Sequence, residues 1–443
     1  MRKLKSGNRW VNWSETADCL PSIIRYPSNV EQVCQIVKKA NDSGRKIRVV
    51  GAGHSFTELV SSDDILISLD LLNGISEVND KEMTVKVFAG TRLYQLGEEL
   101  GKLGFSQENL GDINVQSIAG AISTGTHGTG IQFGNISTQV VELSIVNGKG
   151  EVVNLSETEN AKYFKAALVS LGLLGIIVNV KLRIIERPVY MYKSKKVDFS
   201  SLIEQFDSYI SNNRHFEFYL FPFSDLAQVK TMNITEQKPV NLRFYKLKNL
   251  ILENYLFYIT SEICRLKPSW SSLFSRLAAR TVGSDQITGH NHDLFATERL
   301  VKFREMEYCI PLQYAKKAIW EVKQLIEEKK YKVHFPIECR TVQADDIWLS
   351  PSYQRDSFFI AFHMYKGMEY KDYFRDMEAI MKKYEGRPHW GKLHSRTSGE
   401  LKDIYSKLPD FLDFRKQMDP NQLFVNEYLD KLVVGENGFA ELV

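Results

Sequence analysis

At 443 residues, with 43% hydrophobic and 25% charged residues, the chain is long enough for two or three domains around a large core. A net charge of +3 gives no bulk reason to expect nucleic acid or an acidic membrane as partner, and no apolar run reaches the length of a membrane span; the nearest, 250–263, is broken by Glu253, Asn254 and Glu262. Cys19, Cys34, Cys264, Cys309 and Cys339 are odd in number and irregularly spaced, pointing to reduced thiols in a cytoplasm, and Met1 to Asn8 lack a following apolar stretch, so no secretory leader is expected.

Val30, Val33, Ile36, Val37 and Ala40 mark one face of a helix, with Ser28 or Asn29 as N-cap and an end near Asp42-Ser43-Gly44. A buried strand, Ile47 to Val50, follows at once. It runs into Gly51-Ala52-Gly53-His54-Ser55-Phe56, where glycines let backbone N–H groups approach an anion closely. The loop suits the pyrophosphate of a dinucleotide. It is not the G-x-G-x-x-G fingerprint, and a turn that merely needs glycines is the alternative. Strands over Ile65–Leu69 and Met83–Phe88 and a helix over Thr91–Leu103 make the first third a mixed α/β unit.

The segment Asn109 to Gly130 holds five glycines with small or hydroxylated residues between them. Such a stretch fills a core poorly but can lie flat on a planar ligand, with Ile113, Val115, Ile118 and Ile122 as buried anchors. A hairpin about Asn147-Gly148-Lys149-Gly150 comes next, then a glycine turn, Gly172 to Gly175, into a buried strand ending at Arg183.

Beyond Pro188 the chain becomes more aromatic and poorer in glycine, with helical stretches at 249–266 and 312–331, which reads as a second domain. His290 and His292 sit in a polar stretch and read as solvent-exposed rather than as metal ligands. Three later stretches place polar groups among apolar ones. Glu338 and Arg340 alternate onto one face of a strand. His363 interrupts the apolar strand 358–365. Lys392 follows His389-Trp390-Gly391. Each alone is an ordinary ion pair or core histidine. Together they equip a site to bind a polyhydroxylated substrate and remove a hydroxyl proton.

Gly51-Ala52-Gly53-His54-Ser55-Phe56, the Ser117–Gly130 segment, 171–177, Glu338-x-Arg340 and His389-Trp390-Gly391-Lys392 stand in the order found in sugar and polyol oxidases of the vanillyl-alcohol-oxidase flavoprotein fold. The chain resembles the aldonolactone oxidases (gulonolactone, arabinonolactone) and equally the bacterial alditol oxidases, most weakly over 191–300. The resemblance implies an α+β, two-domain flavoprotein. Residues 1–187, completed by about 393–443, would bind FAD, and 188–392 would form a mixed-sheet cap. It implies a covalent bond from His54 to the flavin 8α-methyl. The cofactor would meet Val50, Gly51, Ala52, Gly53, Ser55, Phe56, Asn109, Gly111, Asp112, Ser117, Gly120, Ser123, Thr124, Gly125, Thr126 and Gly128, with Ile177 near the adenine end.

Glu338, Arg340, His363 and Lys392 would face the substrate, a sugar alcohol or an aldono-1,4-lactone. Hydride would pass to flavin N5 and the hydroxyl proton to Lys392 or His363. Lys392 can be that base only if its pKa is lowered. Molecular oxygen would regenerate the flavin, giving peroxide; a quinone or cytochrome acceptor is the alternative. Gly111 is expected beside the oxygen-reactive carbon. Asp112 departs from the alditol oxidases, which carry a serine there.

Overall fold

The computed structural model describes residues 9–296 and 299–435. The expectation about a leader falls on residues 1–8, outside them. The amphipathic stripe folds as α1 (Val30–Asp42), which buries Val33, Val37 and Ala40; the Asn29 side chain accepts the Gln32 N–H, so Asn29 is the N-cap. Beside it, β1 (Ile23–Arg25), β2 (Ile47–Val50) and β3 (Ile65–Ser68) form a parallel sheet in the order β1-β3-β2. Five antiparallel strands make a second sheet in the order β7-β6-β8-β5-β4: β4 (Ile75–Asn79), β5 (Thr84–Phe88), β6 (Val140–Val146), β7 (Val152–Ser156) and β8 (Ile176–Arg183). Between β5 and β6 run α2 (Leu93–Lys102) and α3 (Ile118–Ser123).

These elements share one hydrophobic core, and the last part of the chain returns to it through Leu401, Phe411, Phe424 and Leu429. Buried Arg48 on β2 clasps the return: its guanidinium donates to the carbonyls of Leu171 (2.8 Å) and Phe424.

The third sheet has eight antiparallel strands. They are β9 (Tyr190–Asp198), β10 (His215–Leu220), β11 (Leu226–Ile234), β12 (Asp285–Gly289), β13 (Phe303–Pro311), β14 (Ile337–Val342), β15 (Ser357–Tyr365) and β16 (Arg387–Pro388). Their order is β12-β9-β11-β10-β14-β15-β13-β16. Between β11 and β12 the chain passes through α4 (Arg243–Asn249), a π-helical stretch Leu250–Leu256, α5 (Phe257–Leu266) and α6 (Ser271–Thr281). The helix expected over 249–266 is thus wound differently in its first part, where Asn254 is buried and its Oδ1 accepts the Leu300 N–H at 2.9 Å.

The two faces of this sheet differ because side chains alternate along a strand. From β15, Phe358, Ile360, Phe362 and Met364 enter a second core, covered by α7 (Ala315–Lys329) and α8 (Lys371–Lys383). Phe359, Ala361 and His363 take the opposite face, where the ring of Phe359 lies 3.8 Å from that of His127 in the 109–130 segment. The glycine-rich segment and the charged face of the large sheet therefore close on one another.

Two expectations are corrected. Of the expected anchors only Ile118 and Ile122 are buried; Ile113 is half-buried in a cavity wall and Val115 is 40% exposed. His290 and His292 are half-buried rather than solvent-exposed, the first bonded to the Pro188 carbonyl at 3.0 Å and the second beside Asp293. All five cysteines are free. Among the described residues no helix is long and apolar enough to cross a membrane.

Candidate active site

Two cavities meet at the loop that follows β2. The first is a cleft lined by Val50 to Ser55 on one side and by Ser117, Gly120, Ser123, Thr124 and Ile177 on the other. Gly51 allows the close approach of these walls, since a Cβ there would lie 2.3 Å from Ser117 Oγ. Gly53 has φ +69°, which only glycine adopts without strain. The His54 ring stacks on Trp13 at 5.2 Å and faces the cleft.

The second, smaller cavity shares His54, Ser55, Gln116 and Thr124 with the first and adds Gly111, Asp112 and Thr126. Its floor is the charged face of the large sheet. Strand register assembles it: β13 pairs Glu305 with His363 and Glu307 with Ala361, while β14 pairs Glu338 with that same Ala361. Ala361 thus sits between Glu307 and Glu338 across the sheet. All four residues expected to face substrate, Glu338, Arg340, His363 and Lys392, line this cavity.

Arg340 is the hub of one half. It meets Glu338 at 3.0 Å, Glu217 at 2.9 Å and Asp112 at 3.5 Å. Asp112 is also held by Arg299 at 2.7 Å. Burial pushes the Asp112 carboxyl up, but Arg340 and Arg299 outweigh it and hold the group well below the ordinary carboxylate range. For Glu338 the balance is reversed: burial raises its pKa in spite of Arg340, and the Tyr219 hydroxyl donates to it at 3.0 Å.

The other half centres on Glu305 and Glu307. Lys392 Nζ forms an ion pair with Glu305, and His363 Nε2 lies 3.5 Å from the same carboxylate. Burial lowers the Lys392 pKa, but Glu305 and Glu307 outweigh it and carry it above the ordinary lysine value. This is the direction opposite to the one a lysine base requires. His127 Nε2 contacts Glu307 at 3.1 Å while its Nδ1 bonds the Gly128 carbonyl at 2.9 Å. His389 accepts the Gly391 N–H on Nδ1 at 3.0 Å, and burial lowers its pKa to about 4, so it is neutral.

Four expected cofactor contacts stand behind the walls rather than in them. Phe56 is buried against Trp13 and Phe303. Asn109 turns its Oδ1 to the Leu110 N–H. Gly125 abuts Pro351, and Gly128 is pressed on Leu110 and Asn109. Their packing shapes the segment. Glu305, Glu307, His127, His389 and Arg299 line the polar cavity as well; none of them is expected from the sequence to face substrate, although His389 stands in the His389-Trp390-Gly391-Lys392 motif. The alternation Phe303-Arg304-Glu305-Met306-Glu307 was a usable signal, since two carboxylates on one face of a buried strand need counter-charges. Arg299 had no local signal.

Over 96% of its length the chain adopts the fold of cholesterol oxidase from B. sterolicum, a vanillyl-alcohol-oxidase-type flavoprotein fold, with a TM-score of 0.81 at 18% identity and 96% of that chain covered. A family model for an FAD-binding domain matches residues 21–156, and one for D-arabinono-1,4-lactone oxidase matches 180–432. An L-gulono-1,4-lactone dehydrogenase of Mycobacterium tuberculosis is 35% identical over 427 residues, 96% of this chain and 99% of its own. L-gulonolactone oxidase of Mus musculus is 32% identical over 96% of this chain and 98% of its own. The chain belongs to the D-arabinono-1,4-lactone oxidase family of FAD-dependent oxidoreductases. The residues present fit the cofactor: the Val50–Ser55 loop lines an elongated cleft, and at its junction with the polar cavity the buried Gln116 Oε1 has no partner within the protein.

Proposed function

We propose that the protein is an FAD-dependent oxidase of an aldono-1,4-lactone that uses oxygen as acceptor and releases hydrogen peroxide. The observation that carries this reading is the junction of the two cavities, which sets the Glu338–Arg340 pair and the Lys392–Glu305 pair beside the loop of His54. FAD, when bound, supplies the hydride acceptor. Residues 1–187 with about 393–443 are assigned to its domain and 188–392 to the cap; the two main cores follow this division except that Ile347, Leu349 and Trp390 join the first and Trp13 and Phe56 the second.

Arg340 is oriented by Glu217 and Asp112 and presents a fixed guanidinium to lactone oxygens. Glu338, with its raised pKa, is suited to exchange hydrogen bonds with a substrate hydroxyl. Lys392, kept charged by Glu305, favours negative charge developing at the reacting centre. That leaves His363 as acceptor of the hydroxyl proton, with Glu305 placed to stabilise the imidazolium. His54 is proposed to hold the flavin covalently, supported by its place at the end of the loop.

The relatives carry both oxidase and dehydrogenase names, so a quinone or cytochrome acceptor is the second reading. The five free thiols favour a reducing compartment, the cytoplasm. A peroxide-coupled screen of purified yellow protein against aldono-1,4-lactones and alditols tests the assignment. Peroxide release with a lactone is expected. Alditols as the better substrates would overturn the lactone reading, and dye reduction without peroxide would establish the dehydrogenase.

A further inference from the structure

The helices between β11 and β12 are amphipathic the wrong way round for a globular protein. A helix normally turns its large apolar side chains inward. Here the buried positions are small: Ser261 and Cys264 on α5, and Ser271, Ser275 and Ala279 on α6. Two of these hydroxyls are anchored, Ser261 with His334 at 2.9 Å and Ser275 to the Pro222 carbonyl at 2.7 Å, so the orientation is built in.

Phe257 and Phe274 pack against the second core, but most of the other large apolar side chains face outward. Phe244 on α4 is 80% exposed and Leu266 on α5 is 71% exposed. Leu252, Tyr255 and Ile259 are exposed along the π-helical stretch and α5, and Trp270, Leu273 and Leu277 along α6 and the turn before it. Apolar surface of this extent marks an interaction site.

Charge identifies the occupant. Residues 243–281 contain seven basic residues against Glu253 and Glu262, a net of +5, although the entire chain carries only +3. Lys246 and Lys248 are matched by Asp293 and Asp285, and Arg265 by Glu262. Among the described residues Arg243, Lys267, Arg276 and Arg280 make no salt bridge, and Lys267 lies over the Trp270 ring at 4.7 Å. Apolar stripes bordered by unpaired cations, tyrosines and a tryptophan are the chemistry of a helix lying in a bilayer interface. A second copy of the chain is the poorer fit, because a two-fold contact would set these cations against themselves.

We propose that α4, α5, α6 and the π-helical stretch form a docking surface for an anionic lipid bilayer. With 10 residues, α5 rises about 15 Å against a hydrocarbon core of about 30 Å, so the contact is along the surface and not across it. The α4 end of the patch, through Tyr245, Leu247 and Leu250, also lines a wide cleft that reaches His54 and Arg299. A docked membrane would border the entrance to the site.

Flotation of the full chain with vesicles tests this, using phosphatidylcholine alone and phosphatidylcholine mixed with phosphatidylserine. Recovery with the serine-containing vesicles should exceed that with phosphatidylcholine about tenfold or more and should fall with added salt. The triple variant Tyr255→Ser, Ile259→Ser, Leu266→Ser alters only exposed positions. It should melt as the wild type does and lose about tenfold or more of the binding. Absence of binding to both vesicles, equal binding to both, or binding untouched by the triple variant would overturn the proposal. So would a wild-type dimer in sedimentation that the triple variant converts to monomer, since the occupant would then be a second copy.

Discussion

Replacing Lys392 by methionine removes the ammonium and leaves Glu305 buried. In the wild type, burial raises the Glu305 pKa, but Lys392 and His363 outweigh it and hold the carboxyl below its ordinary value. That stabilisation is present above the unfolded-state pKa and is lost as pH falls through the folded-state one. Removing one partner of a buried pair costs about 3–5 kcal/mol. His363 remains 3.5 Å away, so the low end, about 3 kcal/mol, is expected. Without Lys392 burial dominates, the carboxyl titrates above its ordinary value, and the deficit should shrink as pH is lowered from about 8 towards about 5. The companion variant Lys392→Met, Glu305→Gln removes both charges and should recover most of the melting midpoint. Stopped-flow reduction of the flavin by lactone separates folding from chemistry. Both variants should be slower by about 100-fold or more, the size of effect seen when a preorganised electrostatic group is deleted. A double variant that regains the rate along with the stability would refute a catalytic role for the ammonium. A single variant that melts like the wild type at every pH would refute the buried pair itself.

The wild type, precipitated in acid, should retain flavin fluorescence in the pellet, and His54→Ala should not; flavin released wholly into the supernatant from loaded wild type would show that no covalent bond forms. Gly111→Val should slow reoxidation of pre-reduced enzyme by oxygen about tenfold or more, about 1.4 kcal/mol of barrier, with little change in reduction by substrate. Gly111→Ala is a milder test, since its Cβ would stand 3.3 Å from the His127 carbonyl oxygen and asks for only a small adjustment. Wild-type enzyme that reoxidises slowly in air but quickly with a quinone would establish the dehydrogenase reading. His363→Asn should lower the reductive rate about 100- to 10,000-fold, the range for losing a general base, and a loss below about fivefold would remove His363 from that role.

Local signals were legible where the physics is local. The stripe from Val30 to Ala40 became α1 because helical period alone decides which face is buried, and the hairpin about Asn147-Gly148 formed because its turn chemistry lies within four residues. Alternation correctly put Glu338 and Arg340 on one face, for the same reason. The strongly apolar 250–263 stretch was legible only as too short and too charged to span a membrane; that most of its large side chains point outward depends on Asn254 and Ser261 finding partners elsewhere in the fold.

What only the tertiary structure decided is the charge state of the site. From its own neighbours Lys392 carries no sign of its pKa, because the carboxylate that sets it, Glu305, arrives on a strand that the β13–β15 pairing places beside His363. Asp112 reads in the sequence as an oddity of a glycine-rich loop and becomes, in the fold, the counter-ion of Arg340 and Arg299. The sequence by itself determined the family, the glycine-rich segments and the residues that face one way along a strand, since each depends on spacing over a few positions. Protonation depends on which charges lie within a few ångströms in a low-dielectric interior, and those are assembled by antiparallel register across distant strands.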